Sequence, residues 1–74
     1  MENKELLLQE LGIKIKKFRN ELNISQEELA NICGFDRTYI SLLERGKRNP
    51  SYLNLIKLCE GLGLLVSIKK LVDV

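Results

Sequence analysis

Apolar residues recur along this chain at three- and four-residue steps, the period of helices buried on one side. Leu8, Leu11, Ile15, Phe18 and Leu22 make the first stripe. Asn3 can cap its start, with Glu5 in the first turn, and Asn23 suits its end. Gly12 lowers helix propensity slightly. Lys14, Lys16 and Lys17 fall on the opposite, solvated face, and Leu6 and Leu7 are spare apolar residues available to a partner subunit.

The run from Ser25 to Pro50 organises the rest. Ser25 and Glu28 have the spacing of a capping box, and Ile24 and Leu29 flank it as a hydrophobic staple. Leu29, Ala30 and Cys33 share a face, and Gly34 stands where a positive φ commonly ends a helix. Phe35 turns back to the core, and Asp36 can cap a second helix with Ile40 and Leu43 on its apolar side and Gly46 at its close. The pattern predicts a helix-turn-helix over about residues 25–45.

Pro50 biases Asn49 towards extended backbone, so residues 45–50 read as a loop. Ser51 caps a further helix whose inner stripe is read as Tyr52, Leu55, Ile56, Cys59 and Leu62, with Leu53 and Leu58 off it and Gly61 and Gly63 at its end. Residues 64–74 are strongly apolar for a terminal stretch. Ser67 can cap a short last helix bearing Ile68, Leu71 and Val72, although the same β-branched run also suits a strand paired with another subunit. The helical reading is preferred, giving an all-α, compact five-helix domain over residues 1–74.

The polar face of the second short helix carries the chemistry. Arg37, Thr38 and Ser41 lie away from Ile40 and Leu43, with Tyr39 nearby. Arginine can donate two hydrogen bonds to guanine in the major groove, and a threonine methyl can meet a thymine methyl. An ordinary solvated helix face is the alternative for each residue alone; two helices around a glycine-bearing turn favour a duplex. Lys47 and Arg48 can bind phosphate, and Arg48 and Asn49 can reach a neighbouring groove; a solubilising loop is the competing reading.

The segments SQEELA, DRTYIS and LERGKRNPS resemble the lambda-repressor-like (Xre-type) helix-turn-helix family, over about Leu11 to Gly63. The resemblance implies that Gln26 contacts phosphate and that Arg37, Thr38 and Ser41 face bases. It also implies a structural ion pair between Arg19 and Glu44. Small size and the FDRTYIS phrase are further similar to the controller proteins of restriction–modification systems.

Composition narrows the remainder. Seventy-four residues suffice for one domain, and a chain this short buries only ~60% of its unfolded surface, so dimerisation would help it. The net charge of +2 is small, but residues 1–34 carry −1 and residues 35–60 carry +2, placing positive charge around the proposed interface. Cys33 and Cys59 form no CxxC pair and there is no histidine, so buried thiols are expected rather than zinc or a disulfide, and no cofactor is implied. No nucleophile–base pair or phosphate loop supports an enzyme. No signal peptide or membrane span is read, and a cytoplasmic protein is expected.

These readings converge on a sequence-specific transcriptional regulator of double-stranded DNA, binding a palindromic operator as a homodimer. Two recognition helices would then stand about 34 Å apart. Leu53, Leu65, Ile68, Leu71 and Val72 are the expected dimer contacts, within a dimerisation segment at 64–74. RNA polymerase is a further partner if the protein activates, with Glu27 and Glu28 as the candidate patch. The alternatives are a phage or mobile-element repressor, or an antitoxin-type interaction module.

Overall fold

Side-chain caps decide where each helix begins. A computed structural model describes residues 3–64. Asn3 Oδ1 accepts the Glu5 N–H at 2.8 Å and starts α1, Lys4–Glu21. The box at Ser25 is reciprocal: its Oγ accepts the Glu28 N–H at 3.0 Å, and Glu28 Oε1 accepts the Ser25 N–H at 2.9 Å. It opens α2, Gln26–Cys33. Asp36 accepts the Thr38 N–H and opens α3, Arg37–Glu44. Ser51 accepts the Asn54 N–H and opens α4, Tyr52–Gly61. Each such cap contributes about 1 kcal/mol.

All four helices also end alike. Asn23, Gly34, Gly46 and Gly63 take left-handed backbone, with φ of 57°, 76°, 71° and 75°. The residue after each one donates its N–H back into the last turn, as Phe35 does to the Ala30 carbonyl at 2.8 Å and Lys47 to the Leu42 carbonyl at 2.9 Å. These are Schellman closures. They turn the chain sharply, so that α2 and α3 follow one another with only a short connection and pack together.

The core is one cluster: Ile15, Leu29, Ala30, Cys33, Ile40, Leu43, Leu58 and Leu62. Leu11, Phe18, Ile24, Phe35, Tyr39, Leu55 and Leu64 pack around it. Leu29, Ile40, Leu43 and Leu58 are fully buried, and each such side chain contributes ~1.5–3 kcal/mol of hydrophobic stabilisation. No polar or charged residue is fully buried among the described residues.

Three expectations are corrected. The described residues form four helices rather than five. The additional helix rested on Ser67 as a cap and on residues that lie outside the described range; the four helices observed are those whose caps and apolar stripes fall within residues 3–64. The inner stripe of α4 also differs: Leu58 is 1% exposed and Tyr52 is 59% exposed. Apolar residues surround most of this short helix, so its period alone did not distinguish the stripes; packing against α1 and α2 selects Leu55, Leu58 and Leu62. Finally, Leu22 lies at the C-cap of α1, past the last helical turn, and is 48% exposed.

Gly12 has a role beyond its propensity cost. A Cβ there would lie 2.6 Å from the carbonyl oxygens of both Leu43 and Glu44. The backbone of α1 therefore crosses directly over the end of α3, and no side chain fits between them. Gly61 is similar, since a Cβ would meet Cys33 Sγ at 2.6 Å. Gly12→Ala is expected to destabilise the fold by about 1–3 kcal/mol through overpacking, whereas helix propensity alone predicts a gain of about 1 kcal/mol. Urea denaturation distinguishes the two, and a midpoint at or above that of the wild type would refute the close crossing.

Candidate nucleic-acid interface

The candidate interface lies on α3, because this helix buries one side completely and leaves the other open. Ile40 and Leu43 are 0% and 1% exposed, while Arg37 and Thr38 are exposed at its first turn and Ser41 is half-buried one turn on. Asp36 caps the helix through the Thr38 N–H, which holds the backbone carrying Arg37 and Thr38 in place. Lys47, Arg48 and Asn49 follow on an exposed loop. That loop is fixed at its root by the Gly46 and Lys47 N–H groups, which donate to the carbonyls of Leu43 and Leu42. Arg45 lies alongside, with its Nε donating to the Ser41 carbonyl at 3.4 Å.

Tyr39 occupies a different position from Arg37 and Thr38. It is half-buried, with its ring edge-to-face on Phe35 at 4.9 Å between centroids. The Arg48 guanidinium lies 5.2 Å from the Tyr39 ring centroid. Asn54 Nδ2 donates to the Tyr39 hydroxyl at 3.0 Å. Asn54 was not singled out from the sequence. It stands fifteen residues away on another helix, where its side chain carries no periodic or motif signal.

Behind α3 sits a nearly closed polar cluster. Arg19 Nε donates to Glu44 Oε2 at 2.6 Å, and Arg19 Nη2 donates to Glu44 Oε1 at 3.0 Å. The two side chains are 11% and 4% exposed. Arg19 Nη1 also donates to the Ile24 carbonyl, and Gln26 Nε2 donates to Glu44 Oε1 at 3.1 Å. The hydrogen bond to Glu44 is the main cause of the raised pKa of the Arg19 guanidinium, opposed by burial and helped by the carboxylate charge. The stability arising from this shift is present throughout the range below arginine's ordinary value and is lost only above it. Gln26 has one amide N–H committed inward; an amide has a second N–H and an oxygen left for other partners.

Leu53 is 68% exposed on α4, beside Tyr52. Leu65, Ile68, Leu71 and Val72 lie outside the described residues. Cys33 and Cys59 are free thiols. Burial pushes both thiol pKa values up, and the Glu60 charge adds to the effect at Cys33, so both favour the protonated form. Among the described residues no group of three or more His, Cys, Asp or Glu side chains is placed to hold a metal ion, and no helix is long and apolar enough to cross a membrane.

The helix-turn-helix family profile matches residues 15–69. The chain belongs to this family. It is 49% identical over 57 residues to the control protein C.MunI of a Mycoplasma species, covering 76% of this chain and 77% of the relative. The restriction-modification controller protein C.AhdI of Aeromonas hydrophila superposes with a TM-score of 0.81 at 35% identity, over 85% of this chain and 91% of its own. C.Esp1396I, solved as a tetramer in complex with its natural 35-base-pair operator, gives 0.76 at 38% identity, over 90% and 91%. The chain is a sequence-specific DNA-binding regulator of the helix-turn-helix class, closely related to restriction–modification controllers.

Removing Glu44 leaves the Arg19 charge enclosed without its partner. Glu44→Ala is expected to cost about 3–5 kcal/mol, against about 0.5 kcal/mol or less for Glu10→Ala on the exposed face of α1. Equal losses in chemical denaturation would show that the pair does not brace the fold.

Proposed function

We propose that this regulator is the controller protein of a restriction–modification system, binding a palindromic operator as a homodimer to regulate its own operon. The observation that carries the reading is the division of α3: Ile40 and Leu43 are sealed in the core while Arg37 and Thr38 stand open at its first turn beside a cationic loop. Such a helix can enter the major groove with its N-terminal residues against base edges. In this reading Arg37 is the principal base reader, with Thr38, Tyr39 and Ser41 assisting. Gln26, Lys47, Arg48 and Asn49 hold the backbone, and Arg19–Glu44 braces the helix that carries the readers.

Dimerisation is supported by the exposed Leu53 on α4 and by the apolar sequence of residues 65–74. The likeness to C.Esp1396I, whose tetramer binds operator DNA, supports the same assembly principle. RNA polymerase is the further partner of an activating form. Glu28 is committed to the cap of α2, which leaves exposed Glu27 as the available carboxylate for such a contact.

Selection from random duplexes is expected to recover two inverted half-sites about one helical turn apart. Recovery of no preferred sequence would remove the regulator reading. On the recovered duplex, Arg37→Ala is expected to cost ~1–3 kcal/mol and to flatten the base preference at its position. Lys47→Ala is expected to weaken binding to all sequences alike and to lower the salt slope by about one. Titrations at several salt concentrations check both variants, and an unchanged slope for Lys47→Ala would remove it from the phosphate contacts.

A further inference from the structure

Tyr39 projects from α3 towards α4, with its ring and its hydroxyl oxygen both engaged. Its ring packs on Phe35, Arg48 lies over it, and its hydroxyl accepts a hydrogen bond from Asn54 Nδ2 at 3.0 Å. A phenol has one proton to donate and two lone pairs to accept with. Asn54 fills a lone pair, and the proton donates to no other described residue. The hydroxyl is thus fixed in place by a donor, which leaves its own proton directed elsewhere. The guanidinium of Arg48 lies over the same ring, 5.2 Å from its centroid. One side chain therefore offers an O–H donor and carries a cation, a combination suited to an anionic oxygen. Asn54 itself is held in the first turn of α4, where its backbone N–H donates to Ser51 Oγ at 3.1 Å.

We propose that Asn54 is a positioning residue for DNA-backbone binding, holding the Tyr39 hydroxyl so that its proton is given to a phosphate and steadying the ring that carries Arg48. This rests on the regulator reading above. It also changes the work assigned to Tyr39, from assisting base readout to gripping the backbone next to the bases that Arg37 reads. It gives α4 a part in recognition: the helix supporting the expected dimer contact Leu53 also sets the geometry of the phosphate grip.

The test is a double-mutant cycle on the duplex recovered from the random pool, with the thermal midpoint of each variant measured alongside. Tyr39→Phe removes the proton and is expected to weaken binding about tenfold. Its salt slope should stay unchanged, because a neutral donor releases no counterion. Asn54→Ala is expected to weaken binding about threefold to tenfold in the wild-type background and to have no further effect in Tyr39→Phe. Asn54→Asp keeps the shape but only accepts hydrogen bonds when ionised. It would draw the phenol proton to itself and is expected to lose at least as much affinity as Asn54→Ala. Losses that simply add in the double variant, or wild-type affinity in Asn54→Asp, would overturn the proposal. A wild-type protein that selects no duplex at all would instead overturn the regulator reading on which it rests.

Discussion

One carboxylate ties this domain together. Glu44 accepts hydrogen bonds from Arg19 on α1 and from Gln26 on α2 while standing at the end of α3. Arg19 extends the cluster to the Ile24 carbonyl in the turn before α2. A charge this enclosed is costly to desolvate, and it is tolerated because the pair is bidentate and the third guanidinium nitrogen also donates, to the Ile24 carbonyl. An apolar cluster of similar volume could supply comparable stability, but hydrophobic contact is non-directional. Hydrogen bonds to a fixed carboxylate give α3 a defined orientation relative to two other helices. Gly12 permits this approach by removing the side chain that would otherwise separate α1 from the carbonyls of Leu43 and Glu44.

The open side of α3 depends on that closed side. A helix of eight residues is too short to be stable alone in water. Its order comes from Ile40 and Leu43 in the core, Asp36 at its start and Glu44 at its end. Arg37 and Thr38 contribute little to stability at their exposed positions, which leaves their chemistry free for a ligand. The same division recurs at the loop that follows. Gly46 and Lys47 bond their backbones to α3, and the cationic side chains of Lys47 and Arg48 stay exposed.

In the proposed binding mode, stability and recognition overlap at Gln26 and Tyr39. Each uses part of its polar capacity within the protein, on Glu44 and Asn54 respectively, and retains part for a partner. Such residues enter a complex with fewer rotamers to lose, and fixing a side chain in advance lowers the entropic cost of binding. The likeness to controller proteins extends across most of the chain.

Helix starts and stops were legible in the sequence because they are local. A cap needs an oxygen two or three residues from an N–H, and a left-handed closure needs glycine or asparagine at one position. Both requirements are met within a few residues of chain, as at Asn3, Ser25, Asp36 and Ser51. The partition of α3 followed from its period, and the Arg19–Glu44 pairing from resemblance rather than from spacing. Only the tertiary structure decided which face of α4 turns inward, because a short helix with apolar residues on most sides has no single stripe. It likewise decided that Gly12 is a crossing point and that Asn54 bonds to Tyr39. Those contacts join residues distant in the chain, and they exist only once helix packing has set the distances between them.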